Sequence, residues 1–366
     1  MPAPPRMSQL AAQLNQAWLK KGPVALCLLP LALLMLLLVS LRRGAYRLGW
    51  LHADKLPVPV LVVGNRVVGG AGKTPTTIAL LQHLKAQGWR PGVLSRGYKA
   101  QLPESQTHVL LDASSAHKLN AAQTGDEPML IWRRTGVPVM VGRQRAAGGR
   151  ALLQSHPEIN LLVCDDGLQH LQLQRDLEVI VFDARGGGNG WLLPAGPLRE
   201  PIHVPTTPGL VAPPLVLYNA NQASTDLPGH LASQAMAPFC ELADWWQGRA
   251  PSSTLKPADC KHETTWAVAG IAHPQRFFDA LRQQGFACET IALDDHADLS
   301  HIPWPEQARD VILTEKDAVK LDPDRLSRER PGCRVWVAAL DFRPEASFWL
   351  ALDAALKKLP ACHQPG

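Results

Sequence analysis

The sequence lacks the cysteine patterns that cross-link small proteins or bind zinc. Its seven cysteines are scattered along the chain, are odd in number and include no C-x-x-C pair. A disulfide framework and a structural zinc site both need paired or regularly spaced cysteines, so we expect neither. Scattered thiols are instead compatible with a reducing compartment.

The sequence also lacks the marks of a nucleic-acid-binding protein. The net charge is +5 over 366 residues, and no dense block of Lys and Arg occurs outside the flanks of one apolar segment. Aromatic residues do not alternate with basic ones. We therefore expect no nucleic acid as a partner, whereas a phosphate-rich ligand or an anionic lipid surface would suit this charge. Nothing in the sequence indicates an obligate protein partner.

One long hydrophobic run dominates the N-terminal region. From Val24 to Leu41 every residue is apolar except one proline and one serine. A helix at ~1.5 Å per residue would extend roughly 27 Å here, close to the ~30 Å hydrocarbon thickness of a bilayer. A signal peptide would be followed by small residues, but Arg42, Arg43 and Arg47 follow instead. We predict a membrane helix over about 24–41. Whether it spans the bilayer or lies in its surface stays open, because both flanks are basic and the proline could kink it.

The next part of the chain alternates between strand-like and helix-like segments. Val58–Val63 is a continuous apolar and β-branched run, which is typical of a strand buried on both faces. This pattern predicts an α/β fold with a parallel sheet flanked by helices. Similar runs recur at Val93–Leu94, Val137–Val141, Leu161–Cys164 and Val179–Phe182.

A dense group of prolines separates this pattern from a second one. Seven prolines fall between Pro194 and Pro214, a density that excludes a helix or a central strand and predicts an ordered loop. We predict an N-terminal anchor over residues 1–50, a first α/β domain over 51–205 and a smaller second α/β domain over 206–366. In the second domain, helices are predicted over Gln275–Gln284 and about 346–359, and strands at Trp266–Ala269, Thr290–Leu293, Val311–Leu313 and Val335–Ala338.

A glycine-rich loop joins the first predicted strand to a helix. This order of strand, loop, Lys-Thr and helix is the one that a phosphate loop needs. Backbone N–H groups would face phosphate oxygens, Lys73 would neutralise the β- and γ-phosphates, and the Thr74 hydroxyl would ligate Mg²⁺. We therefore predict a P-loop NTPase-like fold that binds a nucleoside triphosphate through Val67, Val68, Gly69, Gly70, Ala71, Gly72, Lys73 and Thr74.

The loop departs from the usual P-loop spacing at one position. The pattern G-x-x-x-x-G-K-[ST] has a glycine five residues before Gly72, where this sequence has Val67. Gly69 and Gly70 supply backbone freedom later in the loop instead.

Two consecutive carboxylates follow another buried strand. Leu161–Cys164 runs directly into Asp165 and Asp166. An acid that handles Mg²⁺ in a P-loop protein lies at the end of a strand that neighbours the loop. Asp165, Asp166 and Thr74 therefore form the predicted metal site. Because consecutive side chains point in different directions, we expect one Asp to serve the metal and the other the structure or the substrate. The alternative is that one Asp only caps the following turn.

Further short motifs occur in order along the chain, and together they resemble one family. Besides the phosphate loop and Asp165–His170, they are Ser95–Tyr98, Gly125–Pro128, Asn189–Glu200, Gly270–Ile271 with Pro274, Arg276 and Phe277, Asp295–His296, and Thr314–Ala318. This set looks like tetraacyldisaccharide 4′-kinase, the lipid A 4′-kinase of Gram-negative bacteria. The resemblance runs from the membrane segment to near the C-terminus, and the family's loop is similarly atypical at the position of Val67.

The resemblance implies a reaction, ligands and a location. The γ-phosphate of ATP would pass to the 4′-hydroxyl of an acylated glucosamine disaccharide 1-phosphate, in lipid A (lipopolysaccharide) biosynthesis. ATP, Mg²⁺, this lipid and the inner-membrane bilayer would be the partners. A substrate with four acyl chains stays in the bilayer, so the enzyme would work at its surface. The catalytic domains would face the cytoplasm, which contains ATP.

A base must accept the proton of the attacking hydroxyl group. The reaction otherwise needs positioning and charge neutralisation, to which Lys73 contributes. Asp126 is a candidate base in a turn between Gly125 and Pro128, although such a residue alone is more often a helix cap. The resemblance implies that Asp126 acts with His296. Arg96, Arg143 and Arg199 are candidates for phosphate contacts, Gln169 for support of the metal site and Asp183 for a structural role.

Two other functions are compatible with the phosphate loop alone. A membrane-recruited P-loop switch or partitioning ATPase would need no sugar-binding second domain. A soluble small-molecule kinase with a cleaved leader would lose Val24–Leu41 on maturation. The pairing of Asp126 with His296 and the long Asn189–Pro201 loop favour the lipid kinase.

Overall fold

Two β-sheets covered by helices organise this chain. The computed structural model describes residues 18–98, 100–102, 106–116, 118–249, 255–257 and 265–360. In these ranges one sheet has nine strands and the other has five. This architecture confirms the predicted α/β class with a second, smaller α/β unit.

The larger sheet consists mainly of parallel strands. Its members are β1 (Val60–Gly64), β2 (Pro91–Ser95), β3 (His108–Leu111), β4 (Val139–Gly142), β5 (Leu161–Asp165), β6 (Leu177–Asp183), β7 (Leu215–Asn219), β8 (His230–Met236) and β14 (Leu340–Pro344). They lie in the order β14-β8-β7-β6-β1-β5-β2-β4-β3. Only the edge strands β3 and β14 run antiparallel to their neighbours. Strand β1 lies between β5 and β6, so the carboxyl ends of these three strands meet at one edge.

Helices cover both faces of the larger sheet. On one face Leu81 of α2 (Lys73–Ala86), Ile131 of α4 (Asp126–Thr135) and Phe348 of α10 (Ala346–Leu356) share one core. On the other face Leu152 of α5 (Arg145–Ser155) packs into a second core. The short helix α3 (Ala121–Thr124) precedes α4. Burial on both faces explains why β1, β5 and β6 are continuous apolar runs.

The smaller sheet has the order β11-β10-β12-β13-β9. It is parallel except for β9, a two-residue strand that runs antiparallel to β13. Its strands are β9 (Cys240–Glu241), β10 (Thr265–Ala269), β11 (Cys288–Ala292), β12 (Asp310–Thr314) and β13 (Arg334–Ala338), and its helices are α6 (Leu242–Trp246), α7 (Pro274–Gln283), α8 (Glu315–Ala318) and α9 (Pro323–Glu329).

The division between the sheets differs from the predicted boundary at residue 205. Strands β7, β8 and β14 all follow that position, yet they pair into the larger sheet. The chain enters the smaller sheet at residue 240 and leaves it at residue 338, so this unit is inserted between β8 and β14. The proline-rich stretch is a loop with isolated β-bridges, as predicted, but it precedes β7 rather than a new domain.

The N-terminal apolar run forms helix α1 (Pro23–Arg47), which lies against the first domain. Ala25 and Ala32 are buried at 1% and 3% exposure. Ala32 packs against Val67 and Ala71 of the glycine-rich loop, and against Leu198. The small alanines let the helix approach the loop closely. The opposite face exposes large side chains, among them Leu31, Leu33, Leu34, Leu37, Leu38 and Leu41.

By length and composition α1 could cross a membrane. It has 25 residues, a mean hydropathy of 2.9 in its most apolar window, and only 11% of that window is buried. A signal sequence or a core helix can have the same length and composition, but a core helix would be mostly buried. The helix therefore presents an apolar face for which the described part of the chain provides no cover.

Candidate active site

The glycine-rich loop follows β1 and leads into α2, as the sequence predicts. Gly69 and Gly72 have φ angles of +97° and +94°, a region that side chains with a Cβ rarely adopt. A Cβ atom on Gly72 would also lie 2.5 Å from Asn219 Nδ2. The Asn219 amide in turn donates to the Ala71 carbonyl at 3.4 Å. The loop therefore needs glycine at both positions, and it places backbone N–H groups at the amino end of α2.

Val67 occupies the position where the usual P-loop has a glycine. Its side chain is 2% exposed and packs against α1 and the Asn189–Glu200 segment. Val67 forms an antiparallel bridge with Leu198, and the next N–H group, of Val68, donates to the Pro197 carbonyl at 2.8 Å. The loop at this point is held as an extended segment with an apolar contact. A side chain is therefore favoured over glycine here.

Lys73 lies between the loop and the acids of β5. Its Nζ atom is 3.3 Å from Asn65 Oδ1 and 3.8 Å from Asp166 Oδ1. Asn65 Nδ2 also donates to the Gly69 carbonyl at 3.2 Å. One amide side chain thus orients both the lysine and the loop.

Asp165 and Asp166 have opposite electrostatic environments. Burial and the Glu127 carboxylate raise the pKa of Asp165 to about 7, although Thr77 Oγ1 donates to its Oδ1 at 2.8 Å. Burial also opposes ionisation of Asp166, but Lys73 and Arg199 outweigh it and lower its pKa. The Asp166 backbone is left-handed, with φ of +48°, and the two carboxylates have different partners: Thr77 for Asp165, and Lys73 and Arg199 for Asp166.

These donors fit a small, hard cation. No group of three or more His, Cys, Asp or Glu side chains with metal-ligand spacing occurs among the described residues. Mg²⁺ usually takes one or two carboxylates from a protein and completes its shell with phosphate oxygens and water. Asp165, Asp166 and Thr74 all line one cleft, beside the glycine-rich loop. A buried carboxylate with a raised pKa is also the kind of ligand that a divalent cation would ionise.

Two buried arginines that the sequence did not single out hold the turn after β5. Arg145 donates to the carbonyls of Asp165 and Asp166, both at 2.9 Å. Arg175, at 1% exposure, donates to the carbonyls of Leu168 and His170 at 2.9 and 2.6 Å. A turn whose carbonyls converge on buried guanidinium groups keeps its acids in a fixed position.

Asp126 and His296 meet across the two domains. Asp126 begins α4, and His296 lies in the loop after β11 with a left-handed φ of +61°. Asp126 Oδ2 is 2.9 Å from His296 Nδ1 and 3.4 Å from Lys320 Nζ. Burial would raise the pKa of Asp126, but the His296 hydrogen bond and the Lys320 ammonium outweigh it and lower that pKa.

Lys316 fixes the tautomer of His296. Its Nζ atom lies 3.1 Å from His296 Nε2 and 2.8 Å from Asp295 Oδ1. An ammonium group can only donate, so Nε2 accepts and Nδ1 carries the hydrogen that faces Asp126. The Tyr98 ring lies 5.3 Å from the imidazole, centroid to centroid.

One cleft of 1160 Å³ is lined by most of these groups. Its lining includes the glycine-rich loop, Asp165 and Asp166, together with His296 and Lys316. Met35, Val39, Arg42 and Arg43 of α1 also line this space. The cleft is therefore shared by both domains and by the apolar helix.

The other predicted polar residues take different roles. Arg199 donates to Asp166 at 3.0 Å, and Arg96 lines the cleft, but Arg143 is exposed and does not line it. Gln169 donates to the Asn65 carbonyl at 3.1 Å and so supports the loop. Asp183 accepts from the Arg185 backbone and guanidinium at 3.0 and 2.8 Å, which agrees with a structural role.

Three further site residues belonged to recognised segments, but their roles were not assigned, whereas Lys320 and Asn219 lie outside all of these segments. Lys316 lies in the Thr314–Ala318 motif and Glu200 ends the Asn189–Glu200 motif. Arg43 flanks the apolar run. Charged residues inside such motifs are the only signal that the sequence offers for them.

Comparisons with known proteins show the family of this chain. A family model described as Tetraacyldisaccharide-1-P 4′-kinase matches residues 24–357. The tetraacyldisaccharide 4′-kinases of Methylibium petroleiphilum and Leptothrix cholodnii are each 53% identical to this chain; they cover 98% and 95% of it, and the match covers 97% of each of them. A crystal structure of LpxK from Aquifex aeolicus in complex with ATP aligns with a TM-score of 0.72 and 25% identity, over 92% of this chain and 99% of that one. These matches confirm the resemblance that the motifs indicated, and this chain belongs to the tetraacyldisaccharide-1-P 4′-kinase family.

Proposed function

We propose that this chain transfers the γ-phosphate of ATP to the 4′-hydroxyl of a tetraacyldisaccharide 1-phosphate. The observation that supports it most is the Asp126–His296 pair, whose histidine lines the same cleft as the phosphate loop. In this proposal the pair accepts the proton of the hydroxyl group that attacks the γ-phosphate. A kinase requires such an acceptor and a simple nucleotide switch does not.

The phosphate loop would hold ATP in this reaction. Backbone N–H groups between Gly69 and Lys73 and the amino end of α2 would attract the phosphates, and the Lys73 ammonium would neutralise the charge that develops on them. Contrary to the prediction from sequence, the Val68 N–H group is not available, because it donates to the Pro197 carbonyl, and the Val67 side chain is buried. Asp165, Asp166 and Thr74 would hold Mg²⁺, which would neutralise negative charge on the transferring phosphate. The hydrogen bond from Arg199 keeps Asp166 in position, whether that carboxylate binds the metal or the substrate.

The acceptor hydroxyl would lose its proton to the pair formed by Asp126 and His296. Its oxygen bonds to the γ-phosphorus while the bond to the β–γ bridging oxygen breaks, and ADP leaves with that electron pair. Asp126 is ionised at neutral pH, as an aspartate normally is, and its lowered pKa makes it a weak acceptor for this proton. A weak base suffices, because the bond from the attacking oxygen to phosphorus is little formed in the transition state, and catalysis rests mainly on positioning the reacting groups. His296, oriented by Lys316, donates its Nδ1 hydrogen to Asp126 and so holds that carboxylate in position.

The bilayer would lie against the exposed face of α1. Leu34 and Leu37 on that face are 52% and 54% exposed, whereas Met35 and Val39 line the cleft. Acyl chains immersed beside α1 would leave the sugar at the mouth of the cleft. We place the catalytic domains on the cytoplasmic side of the inner membrane, where ATP is available.

Removal of the loop lysine or of the base should abolish transfer. We expect Lys73→Ala and Asp126→Asn each to lower kcat by at least about 100-fold, the size that a charge-stabilising group or a general base contributes. The measurement is transfer of ³²P from γ-labelled ATP to tetraacyldisaccharide 1-phosphate in detergent micelles. Asp279→Asn, at an exposed carboxylate on α7, is the matched control and should retain activity. A rate of ATP hydrolysis that does not change when lipid is added, with no ³²P-labelled lipid formed, would contradict the proposal.

Asp165 should make the metal-free protein less stable as the pH rises. Its pKa is raised to about 7 in the folded protein, whereas an unfolded chain releases this proton near pH ~4. Between these values only the folded state holds the proton, so stability declines with increasing pH. We expect Asp165→Asn to raise the Tm of the metal-free protein at pH 8, to leave it little changed at pH 4, and to abolish transfer. Thermal unfolding at both pH values tests this prediction. The same difference in Tm between pH 4 and pH 8 for the wild type and the variant would contradict it.

The exposed face of α1 should control binding to membranes. We expect Leu34→Asp to weaken association with phospholipid vesicles by at least about 10-fold, because a carboxylate in the bilayer costs about 2.5–3.5 kcal/mol. Vesicle sedimentation measures the bound fraction. Leu350→Asp, at a leucine of α10 that is 72% exposed, is the control. Equal losses in the two variants would show that α1 is not the membrane contact.

A further inference from the structure

The apolar helix α1 makes an ionic contact with a buried acid of the cleft. Arg43 lies near the C-terminal end of α1, and its NH1 atom is 2.6 Å from Glu200 Oε2. The two side chains are 14% and 5% exposed. A second Arg43 nitrogen donates to the Pro205 carbonyl at 3.4 Å. The arginine therefore turns inward, away from the exposed leucines of the same helix.

Arg43 is the nearer of the two cationic partners of Glu200. The other cationic group near Glu200 is the Arg66 guanidinium. Its Nε atom lies 3.9 Å from Glu200 Oε1 and has no hydrogen-bond partner among the described residues. The Arg66 NH1 atom is instead engaged by the Ile202 carbonyl. Burial disfavours a lone carboxylate, so loss of the Arg43 contact would leave Glu200 poorly compensated.

Glu200 in turn orients Gln169 beside the phosphate loop. Its Oε1 atom accepts from Gln169 Nε2 at 3.1 Å, and the same Nε2 donates to the Asn65 carbonyl at 3.1 Å. With Nε2 fixed, Gln169 Oε1 faces Arg199 NH1 at 3.4 Å, and that guanidinium holds Asp166. The Gln169 nitrogen therefore supports Asn65, which contacts Lys73 directly. The Gln169 oxygen supports Arg199, which holds the second Lys73 partner, Asp166.

We propose that Arg43 is a positioning residue that couples the seating of α1 to phosphoryl transfer. The proposal rests on the proposed kinase function, and it adds that α1 does more than hold the enzyme at the bilayer. When α1 lies in its groove, Arg43 neutralises Glu200, and Gln169 and Arg199 hold Asn65 and Asp166 in place. When α1 leaves the groove, Glu200 loses that charge and the phosphate-binding edge loses its support. The enzyme is thus fully active only with its membrane helix docked.

The chain offers a matched control for this contact. Arg47 lies four residues later on α1 and is exposed. Arg43→Met and Arg47→Met remove the same charge from the same membrane flank, but only the first removes the partner of Glu200. Arg43→Lys keeps a donor for a single carboxylate oxygen. Glu200→Gln alone removes the charge of the acid, and its combination with Arg43→Met removes both charges together.

The experiment measures kcat, the KM values for ATP and lipid, and vesicle binding for the full chain and these variants. We expect Arg43→Met to lower kcat by about 10-fold or more, the size seen when the partner of an active-site group is removed. Its lipid KM and vesicle binding should match those of Arg47→Met, whose kcat stays near wild type. Arg43→Lys should recover most of kcat. The double variant should be no slower than the slower single variant, because the two residues act as one unit.

Three results would overturn the coupling. One is an equal kcat for Arg43→Met and Arg47→Met. Another is a loss in Arg43→Met confined to lipid KM and vesicle binding, which would make Arg43 a lipid contact. The third is additive losses of Arg43→Met and Glu200→Gln. Absence of lipid phosphorylation by the wild type would instead contradict the kinase function itself, so the two failures are distinguishable.

Discussion

The hydrogen bond between Asp126 and His296 is the contact on which the site depends. It joins a helix of the larger sheet to a loop of the inserted unit at 2.9 Å. Neither unit contains both residues, so the proposed proton-accepting pair forms only when the two units lie together. Lys316 and Lys320 surround the pair with positive charge, which keeps Asp126 ionised and His296 in one tautomer. The site is therefore a product of domain arrangement as much as of local sequence.

A second constraint links the phosphate loop to the apolar helix. Val67 and Ala71 pack against α1, and Val67 also pairs with Leu198. A standard loop with glycine at the position of Val67 would lose these contacts. The unusual spacing of the motif thus follows from a helix that is docked on the loop. Helix α1, the glycine-rich loop and the Asn189–Glu200 segment form one packed unit.

The sequence predicted those parts of the fold that local patterns determine. Continuous apolar runs identified β1, β5 and β6, because burial on both faces leaves no alternation. It missed β3, β7, β8 and β14, and so placed a boundary at residue 205 inside the larger sheet. For β8 and β14 the reason is that their side chains are partly exposed and polar, which leaves no continuous apolar run. The phosphate loop and the Asp165–Asp166 pair were readable from their spacing. Arg43 and Glu200 were not, because residues 157 positions apart meet only through the fold.

A double-mutant cycle on kcat tests the central claim most directly. The variants are Asp126→Asn, His296→Gln and the two combined, assayed for phosphoryl transfer to tetraacyldisaccharide 1-phosphate in micelles. If the two residues act as one proton-accepting pair, the double variant should be no slower than the slower single variant. Losses that multiply, or a His296→Gln enzyme with the kcat of the wild type, would contradict the account.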